Sequence, residues 1–142
     1  SVDFILTSPP YLCAQDYIKT MRLINLFFPN EGFDLLPSQE IGARANRKKR
    51  GQEVVNKFYD DMKIFVHEAE RVLKNDKFFC FIMGQGKAKA IEGYDTVSDI
   101  CTMVVRDFHF QKIFETSRAI SYKWNRLGGV NSEKIVVFQK RA

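Results

Sequence analysis

The apolar positions in the first half of the chain change from strand spacing to helix spacing. Residues 2–7, VDFILT, form a short apolar run that ends at a Ser-Pro-Pro turn, which predicts a buried strand. From 15 to 28, apolar residues recur at steps of three and four until Pro29, which predicts an amphipathic helix. The same spacing begins again at Gln52 and ends at the KND sequence of 74–76, so a second helix of about six turns is expected there.

The second half of the chain predicts three strands and one helix. KFFCFIM at 77–83 would place apolar side chains on both faces of a strand, which is typical of a strand covered by helices on both faces. Asp95 has the chemistry of an N-cap for the next helix. The apolar positions of that helix are Val97, Ile100, Cys101, Val104, Val105 and Phe108. Strands follow around 110–116 and 134–139, and since no helix separates them, they are expected to pair as antiparallel neighbours.

The resulting order of elements is β, α, loop, α, β, α, β, β. This order predicts a single α/β domain over 1–142, with a mostly parallel sheet that carries one antiparallel strand near its edge. Residues 29–51 interrupt the periodicity with two prolines and three glycines, so they are predicted to form a long loop. Loops of this length inside a domain are usually functional or mobile.

The composition and the lengths of the apolar runs predict the cellular environment of the protein. The 142 residues are 45% hydrophobic, which is enough for a packed core, but no apolar run is long enough to cross a bilayer and no signal-peptide pattern is present. We therefore expect a soluble, cytoplasmic protein with no membrane partner. Cys13, Cys80 and Cys101 are widely spaced and predict buried thiols in a reducing compartment. His67 and His109 have no partner at ligand spacing, so no metal site is predicted.

The positive charge of the chain is concentrated in one place. The formal net charge is +5, and five cationic residues lie together in the predicted long loop: Arg44, Arg47, Lys48, Lys49 and Arg50. Such a cluster is a candidate for sequence-independent contacts with nucleic-acid phosphates. The alternative is a solvated loop with no partner.

The candidate chemistry lies at Ser8-Pro9-Pro10-Tyr11, directly after the first predicted strand. In open parallel sheets, ligands bind beyond the carboxyl ends of the strands. Two adjacent prolines restrict the backbone and donate no N–H, so the motif presents carbonyl oxygens, a hydroxyl and an aromatic ring. These groups suit the exocyclic amine of a nucleobase, because hydrogen bonds to Ser8 and to the Pro9 carbonyl would localise the lone pair of the amine. Tyr11 would stack on a base taken out of the duplex.

An alternative interpretation of Pro-Pro-Tyr is a purely structural turn or a proline-rich contact. At these residues, however, the chain resembles the S-adenosylmethionine-dependent amino-methyltransferases, whose fourth motif is a strand followed by (Asp/Asn/Ser)-Pro-Pro-(Tyr/Phe). In TSPPY the first position of this motif is a serine. The chain is therefore most similar to the cytosine-N4 DNA methyltransferases, ahead of the adenine-N6 enzymes. The resemblance extends less specifically to YLCAQDY, to FIMGQG and to the closing pair of strands, since the last strand of the family inserts antiparallel between two others.

The resemblance implies a Rossmann-like methyltransferase half-sheet, a methyl transfer to DNA and S-adenosylmethionine as cofactor. It implies catalytic roles for Ser8, Pro9, Pro10 and Tyr11, and contact of Thr7 and Ser8 with the cofactor. In the family, a Gly-rich loop and an acidic residue that hold the cofactor precede this motif. Only one residue, Ser1, precedes the motif strand in this chain, and GQGKAK lacks the third glycine of a dinucleotide fingerprint.

We therefore expect the second half of a catalytic domain, completed by a missing N-terminal half or by a partner chain. The apolar edge of strand 2–7 would also permit a homo-oligomer. Two alternatives stay open. The same chemistry can serve methylation of RNA bases or of glutamine side chains in proteins. A noncatalytic nucleic-acid-binding or assembly module could also retain the half-fold.

Overall fold

Four strands and two helices lie within the continuous ranges that the computed structural model describes. The structure describes residues 1–13, 18, 27, 40–42, 51–85, 91–120 and 132–142. The elements are β1 (Val2–Thr7), α1 (Gly51–Val72), β2 (Leu73–Gly84), α2 (Thr96–Asp107), β3 (Phe110–Ala119) and β4 (Ser132–Lys140).

Each of these elements lies where the sequence predicts one. β2 is longer than expected because α1 passes directly into it at Leu73. Asp76 adopts a positive φ of 61° where the pairing of β1 with β2 shifts in register. Most of the predicted helix at 15–28 and of the loop at 29–51 lies outside the described residues. So does the whole basic cluster, Arg44, Arg47, Lys48, Lys49 and Arg50.

The sheet has the strand order β1-β2-β4-β3. β1 is parallel to β2, whereas β4 is antiparallel to both β2 and β3. The predicted antiparallel pairing of the last two strands is confirmed. The expectation of a mostly parallel sheet is wrong, because most of the strand pairs are antiparallel. β4 inserts between β2 and β3, so one reversed strand creates two antiparallel pairs out of three.

One face of the sheet carries an aromatic core. Phe79 and Phe81 of β2 are fully buried, with ring centroids 4.4 Å apart, and Phe138 of β4 and Phe110 of β3 pack against them. Phe65 of α1 lies 6.2 Å from Phe79, so α1 covers this face. Complete burial of such a side chain stabilises the folded state by roughly 1.5–3 kcal/mol. These rings are therefore the main apolar contribution to the fold.

The opposite face is more exposed. One row of paired residues runs across all four strands, from Leu6 through Cys80 and Val137 to Phe114. The prediction that β1 is buried is wrong, because Phe4 and Leu6 are 55% and 60% exposed. An apolar run indicates burial only where another layer covers it, and α1 lies on the other side of the sheet. Among the described strands, β1 is also an edge strand with β2 as its one neighbour.

Side chains from elsewhere in the chain satisfy the helix ends. Lys140 at the end of β4 donates hydrogen bonds to the carbonyls of Glu70 and Leu73, at 2.7 and 2.8 Å, and so caps the C-terminus of α1. Asp95 accepts a hydrogen bond from the backbone N–H of Ser98 at 3.1 Å, which confirms the predicted N-cap of α2. The Lys140 contacts tie α1 to the sheet, whereas the Asp95 contact is local to the first turn of α2.

The three cysteines are buried thiols, as predicted. Burial raises the pKa of Cys101 to about 11, and nearby Glu115 adds to the effect. A thiol with this pKa stays protonated near neutral pH, which agrees with the packing of Cys101 in the apolar core.

Candidate functional site

The site lies where the ends of three strands meet. Ser8 follows directly after β1, whose last residue Thr7 is paired with Phe81 of β2. Gly84 at the carboxyl end of β2 is paired with Glu133 near the start of β4. The Pro-Pro-Tyr motif and Glu133 therefore share one edge of the sheet, at the position where α/β folds usually bind ligands.

A chain of hydrogen bonds joins the motif to the closing strands. The Tyr11 hydroxyl donates to Glu133 Oε1 at 2.5 Å, across 122 positions of sequence. Arg118 on β3 donates to the other carboxylate oxygen, from Nε at 2.8 Å and from Nη2 at 2.7 Å. Ser8 Oγ lies 3.4 Å from the Tyr11 hydroxyl. Ser8, Tyr11, Glu133 and Arg118 therefore form one polar unit.

The environment of Glu133 keeps it ionised. Its side chain is only 12% exposed, whereas that of Arg118 is 59% exposed. Burial raises the pKa of Glu133, but hydrogen bonds from Tyr11 and Arg118 outweigh burial and hold the pKa below its usual range. Glu133 is therefore a carboxylate near neutral pH, and it can accept but not donate hydrogen bonds.

The residues after the motif anchor it to the core. Leu12 and Cys13 are each 1% exposed, and the N–H of Cys13 donates to the Gly42 carbonyl at 2.8 Å. Gly42 has a φ of +70°, and a Cβ built on it would lie 3.4 Å from the Leu12 Cα and 3.5 Å from the Phe58 ring. The turn that follows Tyr11 is therefore held between residues 40–42 and α1.

The four predicted catalytic residues differ in exposure. Ser8 is exposed, Pro9 is buried, and Pro10 and Tyr11 are half-buried. The Tyr11 ring also packs against the apolar core, so only part of it faces solvent. The structure thus brings the Ser8 and Tyr11 side chains together at an accessible strand end, with Pro9 as the fixed point between them.

Sequence reasoning missed Glu133 and Arg118. Neither residue belongs to a motif, and the strand that contains Glu133 was identified only by its apolar positions. The one available signal was the expected antiparallel insertion of the last strand, which brings the start of β4 to the carboxyl ends of β1 and β2.

The glutamine after β2 has a structural role. The Gln85 side-chain amide donates to the Tyr94 carbonyl at 2.9 Å, and its oxygen accepts from the N–H and hydroxyl of Thr96 at 3.0 and 2.9 Å. These bonds fix the start of α2 beside the site. Gln85 therefore supports the architecture of this sheet edge.

The described residues do not by themselves fit S-adenosylmethionine. The two carboxylates beside these strand ends, Asp95 and Glu133, already accept hydrogen bonds from Ser98, Tyr11 and Arg118. Neither of these two carboxylates is therefore left unused for the hydroxyl groups of that cofactor.

Comparisons with protein-family models, with curated proteins and with solved structures found no significant match to this chain. Neither α1 nor α2 is long and apolar enough to cross a membrane. Within the described ranges, no three His, Cys, Asp or Glu side chains are grouped as metal ligands.

Proposed function

We propose that this chain supplies the target-amine pocket of an S-adenosylmethionine-dependent DNA methyltransferase, with cytosine N4 favoured over adenine N6. The observation that carries the proposal is the exposed Ser8 hydroxyl at the carboxyl end of β1, next to the Tyr11 side chain that Glu133 holds. Hydrogen-bond acceptors and an aromatic ring on a rigid turn are what an exocyclic amine requires.

The chemistry assigned to the chain is orientation of that amine. Ser8 Oγ and the Pro9 carbonyl accept its two N–H groups, which draws the nitrogen toward tetrahedral geometry and localises its lone pair. Tyr11 contacts the plane of the base. S-adenosylmethionine, when bound, would supply an electrophilic methyl group from its sulfonium sulfur, and the resulting thioether would be the leaving group. No general base is needed before attack, because the methylated nitrogen releases its proton afterwards.

The topology agrees with a Rossmann-like methyltransferase half-sheet, which is the fold that accompanies this proposal. β1, β2 and β3 run in one direction, and β4 is reversed between β2 and β3. This is the arrangement that the methyltransferase resemblance implies for the end of a Rossmann-like sheet. In the proposal, further strands from an N-terminal half, a partner chain or a second copy add at β1.

DNA is the proposed substrate because five cationic residues lie in the loop after the motif, Arg44, Arg47, Lys48, Lys49 and Arg50. Their role is contact with backbone phosphates near an extruded base. RNA bases and protein glutamine side chains are the alternative substrates. Competition among duplex DNA, structured RNA and protein for a labelled methyl group separates these three.

The test of the proposal is methyl transfer by the intact protein and by Ser8→Ala, Tyr11→Ala and Ser117→Ala variants. Ser117 is an exposed serine of β3 and serves as the control. Ser8→Ala is expected to lower kcat by about 100-fold, the scale for removing one hydrogen-bonding group that acts on the transition state. Wild-type rates in both the Ser8→Ala and Tyr11→Ala variants would disprove these roles.

A noncatalytic binding or assembly module is the second candidate. It is favoured by one observation, that the described residues do not fit the cofactor. Calorimetric titration with S-adenosylmethionine, of this chain together with the N-terminal half or partner chain that the proposal requires, distinguishes the two candidates. Binding supports the transferase, and its absence supports the noncatalytic module.

A further inference from the structure

The hydrogen bonds at the site have a defined direction. A guanidinium group only donates and a carboxylate only accepts, so both oxygens of Glu133 act as acceptors. One oxygen accepts from Arg118 and the other accepts from the Tyr11 hydroxyl. Tyr11 has a single hydroxyl proton, and that proton is used at Glu133.

This direction determines what Ser8 can do. Ser8 Oγ is 3.4 Å from the Tyr11 hydroxyl oxygen, and since the Tyr11 proton points to Glu133, Ser8 must be the donor in this contact. A serine hydroxyl also has one proton, so the solvent-facing side of Ser8 presents lone pairs only.

We propose that Glu133 is a positioning residue that makes Ser8 an obligate hydrogen-bond acceptor. The site then favours ligands that present an amino group at Ser8, such as a 4-aminopyrimidine or a 6-aminopurine, over bases that present a carbonyl oxygen there. This inference rests on the proposed function, because it concerns the amine that Ser8 orients for methylation.

The variant Glu133→Gln tests the direction of the chain while preserving its shape. Arg118 still requires an acceptor, so the glutamine oxygen is expected to face Arg118 and the glutamine amide N–H to face Tyr11. Tyr11 then accepts from the amide and donates to Ser8. The Ser8 proton rotates outward and opposes the N–H of the substrate.

A second substitution separates this effect from a general structural defect. Tyr11→Phe keeps the aromatic ring and removes the hydroxyl through which Glu133 acts. Ser8 can then rotate to accept from the substrate whatever residue occupies position 133. If Glu133 acts through the Tyr11 hydroxyl, Tyr11→Phe must therefore partly rescue Glu133→Gln, whereas it cannot repair damage to the fold.

The experiment measures kcat and KM for methyl transfer from labelled S-adenosylmethionine to unmethylated DNA, using the intact protein, each single variant and the double variant. Thermal unfolding of each variant checks the fold. Glu133→Gln is expected to lower kcat by about 10- to 100-fold, with a smaller change in KM. Tyr11→Phe is expected to lower kcat less, and the double variant should match Tyr11→Phe.

The outcomes separate the two proposals. A double variant no more active than Glu133→Gln, or wild-type kcat in Glu133→Gln, overturns the role of Glu133 and leaves the proposed function standing. A wild-type protein that transfers no methyl group to DNA, RNA or protein overturns the proposed function itself. If Glu133→Gln does not fold, Glu133→Asp provides the test, because it keeps the charge beside Arg118 and withdraws the acceptor from Tyr11. Its kcat should fall by about 10-fold, and a wild-type kcat overturns the inference.

Discussion

The backbone N–H of Cys13 donates a hydrogen bond to the carbonyl of Gly42 at 2.8 Å. This bond joins the turn after the Pro-Pro-Tyr motif to the segment that precedes α1. Both ends of the motif are thereby fixed, because β1 holds Ser8 from one side and this bond holds Leu12 and Cys13 from the other. The rigidity of the site depends on Gly42 as well as on the two prolines.

Substitution of Gly42 is expected to destabilise the protein and to disturb the site. Gly42→Ala places a Cβ on a residue with φ +70°, which costs about 1 kcal/mol, and brings it to 3.4 Å from the Leu12 Cα. Gly93→Ala is the control, because Gly93 has φ +88° but no atom within 4 Å of an added Cβ. Urea unfolding should show a similar loss in both variants, and methyl-transfer rates should fall only in Gly42→Ala. Equal rates would disprove the anchoring role.

Lys140 is expected to contribute more to stability than an exposed lysine of the same sheet. Lys140→Met removes the hydrogen bonds to the carbonyls of Glu70 and Leu73 and should lower the free energy of unfolding by about 1–2 kcal/mol. Lys74→Met removes an exposed ion pair with Asp3 and should cost less than about 0.5 kcal/mol. Chemical denaturation of both variants measures the difference, and equal losses would contradict the capping role.

Glu133 is expected to make stability depend on acid pH. Burial raises its pKa, but hydrogen bonds from Tyr11 and Arg118 lower it below the reference value of 4.5. A carboxyl with a depressed folded-state pKa stabilises the protein above its unfolded-state pKa, and this contribution is lost as pH falls from 4.5 through the folded value.

Glu133→Gln should therefore reduce the difference in unfolding free energy between pH 7 and the region below pH 4.5. The control is Glu92→Gln, since Glu92 is exposed. Thermal or urea unfolding across this pH range gives the comparison. A pH dependence in Glu133→Gln as steep as in the wild type would show that the Glu133 hydrogen bonds are not linked to folding.

The basic cluster is expected to contribute counterion release on DNA binding. Replacing Lys48 and Lys49 by alanine should weaken binding and lower the slope of log K against log salt by about two units. The control replaces Lys74 and Lys77, which lie at the amino end of β2 and away from the motif, with the same change in charge. Fluorescence anisotropy at several salt concentrations measures both slopes. The same slope in the two double variants would argue against phosphate contacts at 44–50.

The exposed edge strand is expected to cause association of the 142-residue chain. Leu6 is 60% exposed on β1, and a lysine at this position should discourage strand addition and apolar contact. Ile64→Lys is the control, because Ile64 is exposed on α1. Sedimentation velocity should show a lower average mass for Leu6→Lys than for Ile64→Lys. A monomeric wild-type chain would contradict this expectation.

The local sequence pattern was sufficient to predict the helices and strands. The spacing of apolar residues predicted α1, α2 and the described strands, and Asp95 was identified as a helix cap from its chemistry and position. The sequence shows no helical pattern between the last two predicted strands, and this predicted their antiparallel pairing. These features depend on interactions within a few residues or between consecutive elements, which a sequence displays directly.

Tertiary structure decided which face of each strand is covered and which distant residues meet. VDFILT has the composition of a buried strand, yet Phe4 and Leu6 are exposed, because α1 packs on the other face of the sheet. Tyr11 and Glu133 are 122 positions apart, and only the insertion of β4 beside β2 brings them together. The sequence by itself determined the side chains that the Ser-Pro-Pro-Tyr segment carries and its place after a strand. Strand register, which no local pattern specifies, placed the Glu133 carboxylate within hydrogen-bond distance of Tyr11.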